Sequence, residues 1–233
     1  MALKSRNFVS ALMCLLSAAC AARAAFTIEP AIVTFLADQG EKTAFLELVH
    51  TGGGPAAIQF SVFDRVLNMD GAVVKESRNK SPDFIVHPSE VILYPGERAS
   101  VQLQYRGKGK ITEDRAYMVY SQELPINVEE DESGLSVSVK MLTNYYSVVI
   151  FETNKPAKLA FVSSRVIGGG RIEVVVENKG KGRVHMDSFS LVVDGRLVRD
   201  YSGKSNTIMP GTQRRFTFEW PRAVTAKEVK FGY

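Results

Sequence analysis

The residues of this sequence that could carry out chemistry stand at spacings that give little support to catalysis or metal binding. The three histidines, His50, His87 and His185, lie far apart, and none has a neighbour at the spacing of a zinc site. The Gly-x-Ser-x-Gly motif of a serine nucleophile is not present. We therefore expect neither an enzyme nor a bound cofactor.

Three other stretches have compositions that ligand sites use. Glu129-Glu130-Asp131-Glu132 is the densest acidic run; it predicts a solvated loop, with calcium binding as the alternative. Gly168-Gly169-Gly170 is not followed by the Lys-Ser/Thr of a phosphate-binding loop. Lys179-Gly180-Lys181-Gly182-Arg183 alternates basic residues with glycine. This run predicts a solvated hairpin tip, with a site for an anionic partner as the alternative.

The first 25 residues have the composition of a secretory signal peptide. Lys4 and Arg6 precede an apolar run, 8–20, that has the length of a signal-peptide hydrophobic region and is too short to span a bilayer. Ala22-Arg23-Ala24 places small residues where a signal peptidase reads them. We expect residues 1–24 to be removed on export. A lipoprotein signal, with Cys20 as the lipidated N-terminus, is the alternative.

Removal of this leader changes the charge balance. The chain has 29 basic and 25 acidic side chains. Loss of Lys4, Arg6 and Arg23 leaves 26 basic residues against 25 acidic ones, a net charge of about +1, so nucleic-acid binding is not expected. Both cysteines, Cys14 and Cys20, lie in the leader. The exported chain would therefore contain no disulfide and no thiolate-bound metal.

Beyond the leader, apolar and polar residues alternate with the two-residue period of β-strands. In the run 57–63, for example, Ile58, Phe60 and Val62 would share one face, packed on a core. Asp70-Gly71 and Asp194-Gly195 predict hairpin turns, because both residue types tolerate positive φ. Similar alternating runs occur at 45–49, 101–105, 172–176, 189–193 and 216–220. This pattern predicts an all-β protein made of β-sandwiches.

A weak internal repeat indicates two related domains. Pro95-Gly96 in the first half and Pro210-Gly211 in the second half are followed, at the same offset, by alternating apolar residues. Chance similarity between strand patterns is the alternative. We place the domain boundary near Pro156, which cannot donate to a strand ladder, so the predicted domains are 25–153 and 154–233. The matched residues are Val101, Leu103 and Tyr105 in one half and Phe216, Phe218 and Trp220 in the other.

The segment 135–151 contains 17 residues without proline or glycine, about three times the length of a typical strand. Its first part alternates apolar and polar side chains. A long strand at a sheet edge is an aggregation hazard, unless the protein lends that strand to another chain. An ordinary core strand with a bend near Asn144 is the alternative. The apolar residues of the first part are Leu135, Val137, Val139 and Met141.

Several segments occur in an order that identifies a resemblance. In the first half, Leu93-Tyr94-Pro95-Gly96-Glu97 is followed by Asp114-Arg115, by Glu123-Leu124-Pro125 and then by the long strand. In the second half, a segment from Val176 to Gly180 precedes Met209-Pro210-Gly211. In order and spacing these segments resemble the periplasmic chaperones of the chaperone–usher pilus pathway. The resemblance covers essentially the whole mature chain.

This resemblance implies two immunoglobulin-like β-sandwich domains in an L or boomerang arrangement, after a cleavable signal peptide. It implies a periplasmic chaperone that binds pilus subunits with a donated edge strand and delivers them to an outer-membrane usher. Leu135, Val137, Val139 and Met141 would then fill the subunit's groove. Self-association through the same edge is a further expectation. The alternative is a structural or adhesive immunoglobulin-like secreted protein, or a pilus component.

The sequence departs from the family at the site that holds the subunit's terminal carboxylate. Many members use an Arg in the first strand and a Lys in the long strand. Here the first-strand region reads Pro30-Ala31-Ile32-Val33, and the segment 143–149 has no basic residue. The basic residues nearby that are candidates for this anchor are Lys140, Arg115 and Arg106.

Overall fold

A computed structural model describes residues 26–74, 80–126, 142–187, 189–199, 207–221 and 225–232. They form fifteen β-strands and a short 3-10 helix, Ala37–Gln39. The strands are β1 (Phe26–Glu29), β2 (Ile32–Leu36), β3 (Thr43–His50), β4 (Ala56–Asp64), β5 (Phe84–His87), β6 (Glu90–Leu93), β7 (Arg98–Tyr105), β8 (Arg115–Leu124), β9 (Asn144–Glu152), β10 (Leu159–Val166), β11 (Arg171–Asn178), β12 (Ser190–Val193), β13 (Arg196–Val198), β14 (Gln213–Glu219) and β15 (Val229–Gly232).

Several predictions fall on residues that are not described. The signal peptide at 1–24, including Cys20, and the acidic run at 129–132 lie outside the described residues. In the part of the chain that the structure describes, no helix is long and apolar enough to cross a bilayer.

The first nine strands form a β-sandwich of two sheets, which we call the first lobe. Five strands lie in the order β2-β9-β8-β4-β6, and four in the order β1-β3-β7-β5. Because side chains alternate between the faces of a strand, one face of each sheet packs on a shared core. Ile58, Val101 and Leu103 are completely buried there. This core draws on residues from Phe26 to Phe151.

The last six strands form a smaller sandwich, the second lobe. Its sheets have the orders β10-β11-β14 and β13-β12-β15. Its core is separate from the first and contains Val174, Leu191, Phe216 and Trp220. The prediction of an all-β, two-sandwich fold is therefore confirmed. The limits 25–153 and 154–233 stay a prediction.

The turn residues and the internal repeat have structural counterparts. Asp194 and Gly195 both have positive φ, 46° and 80°, and they connect β12 to β13 as predicted. Gly96 and Gly211 also have positive φ, each at the turn before a strand whose alternate residues face the core. These strands are β7 and β14. β7 pairs in antiparallel fashion with β3, and β14 pairs in the same way with β11. Because β3 and β11 are each also paired with the first strand of their own lobe, the repeat extends to topology.

The prediction of a solvated hairpin tip at 179–183 is wrong. Gly182 is buried, and its N–H and that of Lys181 donate to the carbonyl oxygen of Pro156, both at 3.1 Å. The glycines are needed because the loop backbone lies directly on the connector between the lobes: a β-carbon on Gly182 would overlap the carbonyl oxygen of Lys155. Close backbone approach, and not solvent exposure, therefore explains this Lys-Gly alternation.

Candidate functional site

The predicted donor residues Leu135, Val137, Val139 and Met141, and the anchor candidate Lys140, lie outside the described residues. Leu142 is the next residue that the structure describes. Leu142 and Thr143 are not in a strand, and β9 begins at Asn144. The prediction of a continuous strand through 135–151 is therefore wrong at these two positions.

The entry into β9 is held by a buried carboxylate. Glu123 on β8 has no exposed surface. Its Oε2 accepts a hydrogen bond from the N–H of Thr143 at 2.9 Å, and its own N–H donates to the Thr143 carbonyl oxygen at 3.0 Å. Glu123 thus fixes the position of Thr143, directly before β9.

Strand β9 has different neighbours along its two halves. On one side, β8 pairs with it in antiparallel fashion from Asn144 to Phe151. On the other side, β2 pairs with it in parallel, from Val148 to Glu152. The β2 pairing does not extend to 144–147. Among the described strands, residues 144–147 therefore form a border of the five-stranded sheet, which we call the β9 border.

The side chains of β9 alternate between the core and the outer face of the sheet. Tyr145 points inward, where its ring meets that of Phe26 at 5.1 Å between centroids. Tyr146 points outward and stacks on Tyr120 of β8, with the ring centroids 5.0 Å apart and the planes at 23°. Tyr146 is 44% exposed. The border is thus stiffened on both faces by aromatic contacts.

An apolar row crosses the outer face beside this border. Strand pairing aligns Ile32 with Val148, Val148 with Met118, and Met118 with Phe63. Met118 and Phe63 are buried, whereas Ile32 is 60% exposed. The row is therefore exposed to solvent at its β2 end, next to the residue where the β9 border ends.

The structure describes two of the three anchor candidates, and it places Arg115 on β8 beyond the β9 border. Arg115 pairs with Phe151, four residues along the ladder from Ser147, the nearest residue of the β9 border, or roughly 13 Å. Its side chain hydrogen-bonds Tyr117, whose hydroxyl donates to Asp83 at 3.1 Å. The backbone N–H of Arg106 donates to the Asp83 carbonyl oxygen at 2.6 Å.

The surroundings of Arg115 act on its charge in opposite directions. Burial lowers the pKa of Arg115. The hydrogen bond to Tyr117 and the charges of Tyr117, Tyr105 and Glu113 raise it, and the net result is a raised pKa. Arg115 is therefore a permanent cation that is already engaged with a phenol.

The sequence placed Asp114, the residue before β8, in a family-like segment but indicated no role for its side chain. Its buried carboxylate receives hydrogen bonds from Thr153 and Arg183. Two features of the sequence could have indicated this contact: an acidic residue directly before a strand, and the closely spaced glycines of 179–183. Within the described ranges, no group of three or more His, Cys, Asp or Glu could hold a metal ion.

Comparison with known proteins gives structural neighbours only. No protein-family model and no curated protein sequence matches the chain. A chain from a solved chaperone–tip adhesin complex of CFA/I fimbriae biogenesis matches with a TM-score of 0.57, at 13% identity, over 88% of this chain and 96% of that one.

Two further solved structures agree with this match. A chain of the CsuC–CsuE chaperone–tip adhesion subunit pre-assembly complex of Acinetobacter baumannii has a TM-score of 0.56 and 16% identity, over 86% and 90% of the two chains. The E. coli chaperone DraB has a TM-score of 0.53 and 13% identity, over 86% of each chain. The chain therefore has the fold of the chaperone–usher pilus chaperones.

Proposed function

We propose that this protein is a periplasmic chaperone that binds pilus subunits by strand donation and delivers them to an outer-membrane usher. The observation that carries the proposal is the β9 border: β2 pairs with β9 only from Val148 onward, so residues 144–147, shortly after the predicted donor residues, have β8 as their one neighbour among the described strands. The structural neighbours support a non-enzymatic chaperone, since they are chaperones solved alone and chains of chaperone complexes with a pilin or a tip adhesin.

The physical basis is completion of another chain's sheet. A guest strand beside the β9 border would obtain main-chain hydrogen bonds from β9, and these are independent of the guest's sequence. Specificity would come from Leu135, Val137, Val139 and Met141, which alternate along the segment that leads into β9. Burying one such side chain contributes about 1.5–3 kcal/mol. Four therefore contribute several kcal/mol, before the cost of ordering both chains is subtracted.

The test uses paired substitutions of opposite phase. Val137→Asp places a charge in the apolar row, and Ser138→Asp places the same charge one residue away, on the other face. Each variant is expressed in the periplasm and purified, and the co-purifying chain is identified by mass spectrometry. We expect a pilus-subunit chain with the parent protein and with Ser138→Asp, and its loss with Val137→Asp.

Circular dichroism and thermal unfolding of the free variants separate this proposal from the alternative. If the segment 135–141 were paired within its own sheet, as in a structural or adhesive immunoglobulin-like protein, Val137→Asp would unfold the first lobe. Equal capture by both variants, or unfolding of Val137→Asp alone, would reject the strand-donation proposal.

Anchoring of the guest's terminal carboxylate is a separate part of the proposal. Lys140, Arg115 and Arg106 are the candidates, and Arg115→Gln is a direct test because Arg115 lies on β8, the strand that pairs with β9. We expect Arg115→Gln to weaken capture of a guest with a free C-terminus. Capture of a C-terminally amidated guest should be unaffected. Equal weakening for both guests would exclude a carboxylate contact.

A further inference from the structure

A cleft of about 1110 Å³ lies in the second lobe, bordered by strands of both of its sheets. One wall is the segment 196–199, which contains β13, and the other is 217–221, which contains the end of β14. The segment 169–171 forms the third side. The cleft is slightly larger than most small-molecule sites, which measure about 300–1,000 Å³, so it can hold several residues of an extended chain.

The cleft follows the edges of two strands. Residues 196–199 line it in succession, and so do 217–221, although successive side chains of a strand point to opposite faces. Among the described strands, β13 and β14 are outer strands of their sheets. An outer strand presents main-chain donors and acceptors that an extended peptide can pair with. The cleft therefore suits a ligand with a backbone of its own.

Three of the side chains that line the cleft are the exposed arginines Arg171, Arg196 and Arg199. None of the three forms an ion pair or a side-chain hydrogen bond with another described residue. Glu219 is the one carboxylate among the described lining residues. Because arginine stays protonated at all ordinary pH values, three cations against one anion give this lining a net charge of +2.

Other arginines of the second lobe already have carboxylate partners. Arg165 and Arg215 lie 3.4 Å and 3.3 Å from the carboxylate of Glu173, and Arg183 lies 3.0 Å from that of Glu152. The guanidinium groups at the cleft have no such partner within the described part of the chain. Their paired donors therefore remain available for the carboxylates of a ligand.

The glycine turn adds main-chain donors at the third side of the cleft. Gly168, Gly169 and Gly170 all have positive φ, at 75°, 58° and 68°. A β-carbon on Gly169 would meet no atom within 4 Å, so this glycine serves the conformation of the turn and not close packing. No hydrogen bond among the described residues uses the N–H of Gly169 or Gly170. Unpaired N–H groups of a turn bind anions, so this side of the cleft also favours a carboxylate.

Apolar side chains distinguish the cleft from a site for a simple ion. Leu197, between two of the arginines, is 47% exposed, and the buried side chains of Phe218 and Trp220 belong to the opposite wall. An inorganic anion would use the arginines but neither the apolar lining nor the volume. A peptide that contains both acidic and apolar residues would use all three.

We propose that this cleft binds an extended acidic peptide segment of a partner protein. Its carboxylates pair with Arg171, Arg196 and Arg199, and its apolar side chains lie against Leu197. Arg196 and Arg199 are three residues apart along the chain, about 10 Å in extended backbone, so they engage separate acidic residues of the peptide. The site lies in the second lobe, away from the β9 border, and the inference does not depend on the proposed chaperone function.

The test uses Trp220, which lines the cleft and is the one tryptophan of the sequence. A dansyl-labelled peptide of alternating Glu and Leu is titrated into the purified protein, and binding is followed as energy transfer from Trp220 to the dansyl group. We expect saturable binding that weakens as the salt concentration is raised, because salt screens exposed charges. The same peptide with Lys in place of Glu should not bind.

Charge-reversal variants locate the binding site. Arg196→Glu and Arg199→Glu should each weaken binding about tenfold, because each removes an attraction and adds a repulsion. Arg98→Glu makes the same change at an exposed position on β7 of the first lobe and should leave binding unchanged. Thermal unfolding verifies that each variant is folded. Should Arg196→Glu fail to fold, Arg199→Glu decides, since Arg199 follows the end of β13.

Competition separates a peptide site from a phosphate site. Inorganic phosphate and vesicles of phosphatidylglycerol are added to the complex, each at a phosphate concentration equal to that of the peptide. We expect neither to displace the peptide. Displacement by either, equal binding of the Lys peptide, or unchanged binding by the folded Arg196 and Arg199 variants would overturn the proposal.

Discussion

Ile32 and Val148 are paired residues at the start of the parallel ladder between β2 and β9. The N–H of Val148 donates to the carbonyl oxygen of Ala31 at 2.9 Å, one residue before β2 begins. This pair marks where the β9 border ends and the internally paired part of the strand starts. A guest strand beside 144–147 would therefore finish next to the exposed side chain of Ile32.

The first prediction follows from this position. Ile32→Asp should leave the free energy of unfolding within about 0.5 kcal/mol of the parent, because the side chain is 60% exposed. It should reduce co-purification of the subunit, since a charge at the end of an apolar row must be desolvated when the guest binds.

Ile92 gives a matched control for Ile32. It is 64% exposed and lies on β6, the strand at the opposite edge of the same sheet. Ile92→Asp should leave both stability and capture unchanged. Equal loss of capture from the two variants would indicate that the guest does not use the β9 border.

Phe151 should be a major contributor to the stability of the first lobe. Its ring is 1% exposed and lies 4.9 Å from the ring of Phe35 and 4.4 Å from that of Tyr105. Phe151→Ala should cost about 3–5 kcal/mol, because it removes buried apolar surface and leaves a cavity. Urea denaturation followed by tyrosine fluorescence measures this change. Phe161→Ala on β10, at a side chain 37% exposed, should cost about 1 kcal/mol or less.

Tyr117 should make stability fall at alkaline pH. Burial, with the charges of Tyr105 and Asp83 and the hydrogen bond to Asp83, raises the pKa of Tyr117 well above its usual value of about 10. Above about pH 10 the unfolded chain loses this proton while the folded protein keeps it, so stability falls as pH rises, by up to about 1.4 kcal/mol per pH unit. Below about pH 10 the contribution is fully present.

Tyr117→Phe is the corresponding variant. It has no proton to lose, so its unfolding free energy should decline less steeply between about pH 10 and pH 12. At neutral pH it should be less stable by about 1.5–3 kcal/mol, since the hydrogen bond to the Asp83 carboxylate is lost. Parallel pH profiles for parent and variant would show that Tyr117 is not the group responsible.

Asn178 should be intolerant of substitution. Its buried side chain accepts hydrogen bonds from the N–H groups of Lys158 and Gly180, and donates to the carbonyl oxygens of Gly182 and Ile208. Asn178→Ala leaves these groups unsatisfied and should cost about 3 kcal/mol or more.

Asn178→Asp keeps the shape but replaces the donor by an acceptor facing two carbonyl oxygens. It should be at least as destabilising as Asn178→Ala at neutral pH, and less so in acid, where a protonated carboxyl can donate one bond. Thermal unfolding at both pH values measures this, with Asn154→Ala, at an exposed position, as the control. A stable Asn178→Asp protein at neutral pH would contradict the assigned donor roles.

Local patterns in the sequence predicted much of the fold. The alternation of Ile58, Phe60 and Val62 placed these residues on a core, and the structure buries all three. Asp194-Gly195 predicted its hairpin, because positive φ is a property of the residue types themselves. The repeated Pro-Gly turn likewise predicted two related halves. Each of these features depends on a few consecutive residues, so it can be identified before any pairing is known.

The sequence alone therefore determined several strands, their buried faces and some of the turns between them. Only the tertiary structure decided which strands are neighbours, since a period of two specifies a face and not a partner. It placed β2 beside half of β9, more than a hundred residues away, and thereby located the border. It also showed that the loop 179–183, predicted as a solvated tip, packs on the connector between the lobes and donates a hydrogen bond to Asp114. The sequence could not reveal this packing, because a glycine required for close backbone approach looks, in sequence, like one required for a turn.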